Sequence, residues 1–106
     1  MAKDDTKFNS GIPAMTVRIR FFARFREVLG PEVIALPVPG TIIGDLIRNI
    51  VLDNCDGNRT IFDESGAFRE LVIITRNGTR VDLADTDSIS VVDGDEIAVF
   101  PPVAGG

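Results

Sequence analysis

The chain has 106 residues, 44% hydrophobic and 25% charged, which fits one soluble globular domain and excludes disordered, collagenous and disulfide-built classes. Its formal net charge of −5 is the wrong sign for tracking a phosphate backbone, so nucleic acid is not an expected partner. With no histidine and a single cysteine, Cys55, an internal disulfide, a Cys–His nucleophile pair and a histidine-based metal site are excluded.

Residues 1–14 are mostly polar, with Phe8 and Ile12 as the main apolar side chains, and read as a flexible N-terminal arm. The arm has lysines at Lys3 and Lys7 but no continuous apolar run, so it does not resemble a secretory signal. Apolar runs elsewhere, such as Leu71 to Ile74, fall far short of the about 20 residues that span a bilayer. The expected protein is therefore cytoplasmic, with no membrane partner.

From Thr16 the pattern alternates: Val17, Ile19 and Phe21 share one face and Arg18 and Arg20 the other, which predicts a half-buried strand. Phe22 falls on the arginine parity and points away from the core. A short helix through Phe25, Val28 and Leu29 then stops at Gly30-Pro31. Glu32 to Val38 is a second strand, with Pro37 suiting its end or an edge.

Thr41 has the chemistry of an N-cap, and Ile42, Ile43, Leu46, Ile47, Ile50 and Val51 recur at helical spacing. This is the expected main helix, fraying over Asn54 to Gly57. Residues 53–69 read as a long connection with one helical turn, plugged into the core by Ile61, Phe62 and Phe68. Leu71 to Arg76 is apolar on both parities, as in a central strand, and Asn77-Gly78 predicts a hairpin. Asp93-Gly94-Asp95 predicts a turn into a last strand in which Ile97 and Val99 alternate with Ala98 and Phe100. The order strand, strand, helix, hairpin, strand indicates an α+β fold, a mixed four- to five-stranded sheet on one main helix.

The sequence closes on Phe100-Pro101-Pro102-Val103-Ala104-Gly105-Gly106. Two prolines favour a stiff, extended exit, and Gly105 and Gly106 add no side chain that could clash in a narrow channel. The expected organisation is an arm over 1–14, a domain over 15–100 and an extended diglycine tail over 101–106.

Four segments besides that ending, MTVRIRFFARFREVLG, TIIGDLIRNI, Arg76-Asn77-Gly78 and Asp93-Gly94-Asp95-Glu96, make residues 15–106 resemble the ubiquitin-like β-grasp sulfur carriers. Within that family, which includes ThiS and the archaeal small modifier proteins, the resemblance is closest to the molybdopterin synthase small subunit, the PPVAGG ending and the FFARFRE segment favouring it over the thiazole carriers. It implies that an E1-like adenylyltransferase uses ATP and magnesium to adenylate the Gly106 carboxylate, and that a sulfur donor protein converts it to a thiocarboxylate. The tail, Pro101, Pro102, Val103, Ala104, Gly105 and Gly106, would then enter the large subunit of molybdopterin synthase and give its sulfur to a pterin precursor. The carrier would bind no cofactor or metal of its own and would not be an enzyme, catalytic groups lying on the partners. The resemblance also implies a free monomer and a heterotetramer with the large subunit.

Phe22, Ala98 and Phe100 would adjoin if the first and last strands pair as the resemblance implies, giving an apolar docking patch at the root of the tail; the alternative is that the short helix or the arm covers it. The six acidic residues from Asp82 to Glu96, set against Arg18, Arg20, Arg24 and Arg26, are solvated loop charges or a means of steering a basic partner. Cys55 lies among Asp53, Asn54 and Asp56, unlike the electropositive sites of reactive thiols, and reads as a bystander. Asp93, Asp95 and Glu96 read as turn residues rather than metal ligands. Two other functions stay open: a protein modifier joined through Gly106 to target lysines, and a β-grasp interaction module with no chemistry at its end.

Overall fold

The computed structural model describes residues 15–102; the predicted arm and the tail residues Val103, Ala104, Gly105 and Gly106 lie outside the described residues. Strand β1 (Val17–Phe21) has the predicted alternation, its odd-numbered residues buried and Arg18 and Arg20 exposed. Helix α1 (Ala23–Leu29) buries Phe25 and ends at Gly30, whose φ of 88° lies in the left-handed region that glycine adopts without a Cβ clash. Strand β2 (Glu32–Ala35) is shorter than predicted and stops two residues before Pro37.

Helix α2 (Ile43–Ile50) lays Ile43, Leu46 and Ile47 on the sheet, with Val51 closing the same stripe. Thr41 does not cap it. The N-cap is Ile42, without a side-chain cap bond, and the Thr41 hydroxyl donates instead to the Val38 carbonyl at 2.7 Å. The N–H groups of Ile43 and Gly44 donate to the carbonyls of Ile89 and Thr86, so tertiary partners satisfy donors that a cap would have met.

The expected long connection after α2, with one helical turn, instead contains a third helix, α3 (Cys55–Ile61). Asn54 caps it, its Oδ1 accepting from the Gly57 N–H at 2.8 Å. Gly57 is buried here; a Cβ on it would stand 2.5 Å from Leu29 Cδ2, so the missing side chain lets α3 lie close on α1. Ile61 and Phe62 enter the core as predicted, and Phe68 packs against it half-buried.

Strand β3 (Ile73–Arg76) begins two residues later than expected, after an exposed Leu71 with φ of 77°. Asn77 (φ 51°) and Gly78 (φ 86°) turn it into β4 (Thr79–Val81), both in the left-handed region, as a hairpin matched to strand twist requires. A single 3-10 turn (Leu83–Asp85) follows, and the last strand is β5 (Glu96–Phe100).

The five strands form one sheet in the order β2-β1-β5-β3-β4. β1 and β5 are parallel at its centre, with Ile19 opposite Ile97 and Phe21 opposite Val99, and the neighbouring pairs are antiparallel. The core lies between the sheet and the three helices and includes Val17, Ile19, Phe21, Phe25, Ile47, Ile61, Ile74, Ile97 and Val99. This is the ubiquitin-like β-grasp architecture, α+β with a mixed sheet. No helix among the described residues is long and apolar enough to cross a membrane.

Candidate functional site at the root of the tail

β5 carries the chain out of the middle of the sheet, flanked by β1 on one side and β3 on the other. A strand bonded on both edges has little freedom at its end, so the segment that follows starts from a defined point and direction. The Phe22 N–H donates to the Val99 carbonyl at 3.2 Å, extending the β1–β5 pairing past the last residue of β1.

On the face opposite the helices, Phe22 and Phe100 come together. Their ring centroids are 4.4 Å apart and the planes 13° from parallel, a stacked pair. Such a contact contributes about 0.5–1.5 kcal/mol beyond area burial. The Arg20 guanidinium lies 5.3 Å from the Phe22 centroid while its Nη1 pairs with Glu96 Oε2 at 3.3 Å. Ala98 shares this face but is only 7% exposed, lying between Arg20 and Thr75 on the flanking strands. It is floor between neighbours and offers little surface of its own.

Around the Phe22–Phe100 pair is an open, mainly apolar cavity of about 780 Å³, lined by Phe22, Ala23, Arg24, Ile73, Phe100, Pro101 and Pro102. Ile73 joins it because it stands opposite Phe100 in the β3–β5 register. Sequence reasoning missed Ile73 and Arg24. The signal for Ile73 was the run apolar on both parities, which leaves an apolar residue on the outer face as well as the inner one. Ala23 sits at the start of α1 with φ of 55°, a backbone conformation that few non-glycine residues adopt. It turns the chain from β1 into α1 at the rim of the cavity.

The end of β5 distant from the tail is held by the turn residues. Asp95 is 4% exposed, and its carboxylate accepts from Arg76 Nε at 3.1 Å, Asn77 Nδ2 at 2.9 Å and the Val92 N–H at 2.8 Å. Asn77 also exchanges bonds with Glu96, accepting from its N–H at 2.8 Å and donating its own N–H to its carbonyl at 2.8 Å. Asp93 Oδ1 accepts from the Thr16 N–H at 2.8 Å. The three acids of this turn therefore face protein donors. No group of three His, Cys, Asp or Glu side chains among the described residues is arranged to hold a metal ion. Cys55 is exposed on α3 and does not line the cavity at the tail root.

A mixed sheet grasping one amphipathic helix, with its central strand running out through two prolines beside an apolar cavity, defines a ubiquitin-like protein of the β-grasp class. The profile of the ThiS family matches residues 19–106, and the chain belongs to that family, one of ubiquitin-like sulfur carriers and modifiers. Among its relatives is small archaeal modifier protein 3 of Haloferax volcanii, 38% identical over 93 residues, covering 87% of this chain and 100% of that protein. The molybdopterin synthase sulfur carrier subunit of Aedes aegypti is 40% identical over 91 residues, covering 85% of this chain and 88% of that one. The crystal structure of small archaeal modifier protein 1 of H. volcanii superposes with a TM-score of 0.74 at 26% identity, covering 84% of this chain and 99% of that one.

Proposed function

We propose that this chain is a sulfur carrier of the molybdopterin synthase small-subunit type. The observation that carries the reading is the placement of Phe100-Pro101-Pro102: the central strand delivers the chain beside an apolar cavity fit for a docking partner. Gly106 is the reacting residue. An E1-like adenylyltransferase, using ATP and magnesium, joins its carboxylate to AMP with release of pyrophosphate, and a sulfur donor protein replaces AMP by sulfur. The resulting thiocarboxylate is a better nucleophile than the carboxylate. Its sulfur attacks a pterin precursor inside the large subunit, and water then cleaves the acyl–sulfur bond, leaving the sulfur on the pterin and restoring Gly106-COO⁻ for another cycle. The catalytic groups reside on the partners, and the carrier supplies a reactive end and a docking surface, Phe22 and Phe100 above all.

The test is the intact mass of the full chain after incubation with its E1-like enzyme, ATP, magnesium and a sulfur donor, beside a chain lacking Gly106. A gain equal to exchange of one oxygen for sulfur, absent from the control, is expected. Absence of both thiocarboxylate and adenylate overturns the reading in favour of a non-reactive interaction module.

The likeness to small archaeal modifier protein 3 over that protein's whole length favours a second use of the same end, conjugation of Gly106 to lysine amines. The chain's own lysines are Lys3 and Lys7 alone. Any chain of copies linked through lysine would grow from that arm, and peptide mapping of conjugates reads this directly.

A further inference from the structure

Nine arginines supply all the cationic side chains from residue 8 onward. Arg18, Arg20, Arg48 and Arg76 pair with carboxylates, whereas Arg24, Arg26, Arg59, Arg69 and Arg80 have no carboxylate oxygen within 4.0 Å among the described residues. Three of these five line one groove of about 530 Å³, with Val28, Asp56 and Thr60 completing its walls. Arg24 comes from α1, Arg59 from α3, and Arg69 from the connection after α3.

The groove is assembled by tertiary packing. Gly57 against Leu29 sets α3 close to α1, which brings Arg24 and Arg59 to one opening. Arg69 is tied to α3 twice: its N–H donates to the Ile61 carbonyl at 2.8 Å and its Nε to the Arg59 carbonyl at 2.7 Å. Holding one guanidinium in place lowers the entropy lost when it meets an anion.

We propose that Arg24, Arg59 and Arg69 form a docking groove for an acidic polypeptide segment on the protein that receives the tail. The inference rests on the reading above that another protein accepts the tail, and it adds the chemistry of that protein's contact. Arg24 lines both this groove and the apolar cavity at the tail root, so the two surfaces are continuous. A partner seated on Phe22 and Phe100 therefore reaches the groove without leaving the surface. The planar guanidinium matches a carboxylate with two parallel hydrogen bonds. Carboxylates spaced along a segment suit guanidiniums contributed by three elements; Asp56 on the wall and Asp63 and Glu64 beside Arg69 repel any anion, and weigh most on a compact one that concentrates its charge at a single point. On a chain of net charge −5, this opening gathers three guanidiniums against one carboxylate in its lining.

The test is a titration of the ¹⁵N-labelled full chain at low salt with a polyglutamate peptide, reading the arginine Nε–Hε signals, with inorganic phosphate as the rival ligand. Saturable shifts of the Arg24, Arg59 and Arg69 signals are expected, with the Arg80 signal still and the response reversed by added salt. The Arg59→Glu/Arg69→Glu double variant should lose at least about fivefold in peptide affinity. Retention of its dispersed amide spectrum separates that loss from unfolding, and Arg59→Gln supplies a milder replacement. Equal shifts at every exposed arginine, or saturation by phosphate at lower concentration than peptide, overturns the proposal. The titration involves no sulfur chemistry, so its failure leaves the mass measurement on Gly106 standing, and the reverse holds too.

Discussion

Arg76 Nε and Asp95 Oδ2 meet at 3.1 Å on the core-facing parity of β3 and just before β5, an ion pair in which the acid is 4% exposed. Three donors converge on that one carboxylate, so it joins the hairpin turn to the turn that opens the last strand. The strand that carries the tail is thereby anchored at the end opposite the tail.

Replacing Asp95 by alanine strands the Arg76 guanidinium, the Asn77 amide and the Val92 N–H together. Breaking a buried, hydrogen-bonded pair from one side costs about 3–5 kcal/mol, a large part of the 5–15 kcal/mol typical of a small domain. Urea denaturation of Asp95→Ala should show that loss, and Asp95→Asn, which keeps acceptor capacity, a smaller one. A loss under about 1 kcal/mol for the alanine variant would mean that water replaces the carboxylate.

Phe22→Arg and Phe100→Arg each break the stacked pair and put a charge at the mouth of the apolar cavity. Both rings are half-buried, so the fold should lose no more than about 1.5 kcal/mol. Capture of the large subunit proposed as partner should weaken at least about tenfold, equivalent to about 1.4 kcal/mol. Undiminished capture by both variants would remove the docking role from this face.

Arg48 joins α2 to two loops at once. Its Nη1 lies 3.1 Å from both Asp45 Oδ1 and Asp87 Oδ1, its Nε donates to the Gly66 carbonyl at 3.0 Å, and its guanidinium sits within 6 Å of the Phe62 and Phe68 rings. Arg48→Ala should cost about 1–2 kcal/mol. Hydrogen exchange should accelerate mainly across residues 63–69, and Arg48→Lys should rescue only part of the loss because an ammonium lacks the planar fork.

The Ser65 hydroxyl and N–H, with the Ala67 N–H, donate to Asp63 Oδ1 and hold its pKa below the ordinary 3.8. A carboxylate whose folded pKa is depressed contributes stability above its unfolded value and loses it as pH falls through the folded one. The turn should therefore still be intact at pH 3.8 and open only as pH falls through the depressed pKa below that value. Amide shifts of Ser65 and Ala67 followed from pH 6 to pH 2 test this; movement centred at or above 3.8 would contradict it.

Short-range patterns were enough to read most of the fold: the parity of Val17, Ile19 and Phe21, the apolar stripe of α2 and the Asn77-Gly78 turn each declare a local structure. Phe22 and Phe100 were legible for the same reason, since parity alone puts both on the outer face. Other features arise from pairings between segments distant in sequence. Asp95 reads as a solvated turn acid until the hairpin places Arg76 and Asn77 around it. Thr41 reads as a cap until the Ile89 and Thr86 carbonyls take the donors of α2. The polar segment Cys55–Ile61 has a local cap in Asn54, but its packing as a full helix depends on the buried approach of Gly57 to Leu29. Ile73 and Arg24 border the tail root only because β3 and α1 flank β5 and Phe22. Periodicity is set by the geometry of a single element and survives in the sequence, whereas the burial of a charge or the wall of a cavity depends on which elements meet, and that is settled by tertiary packing.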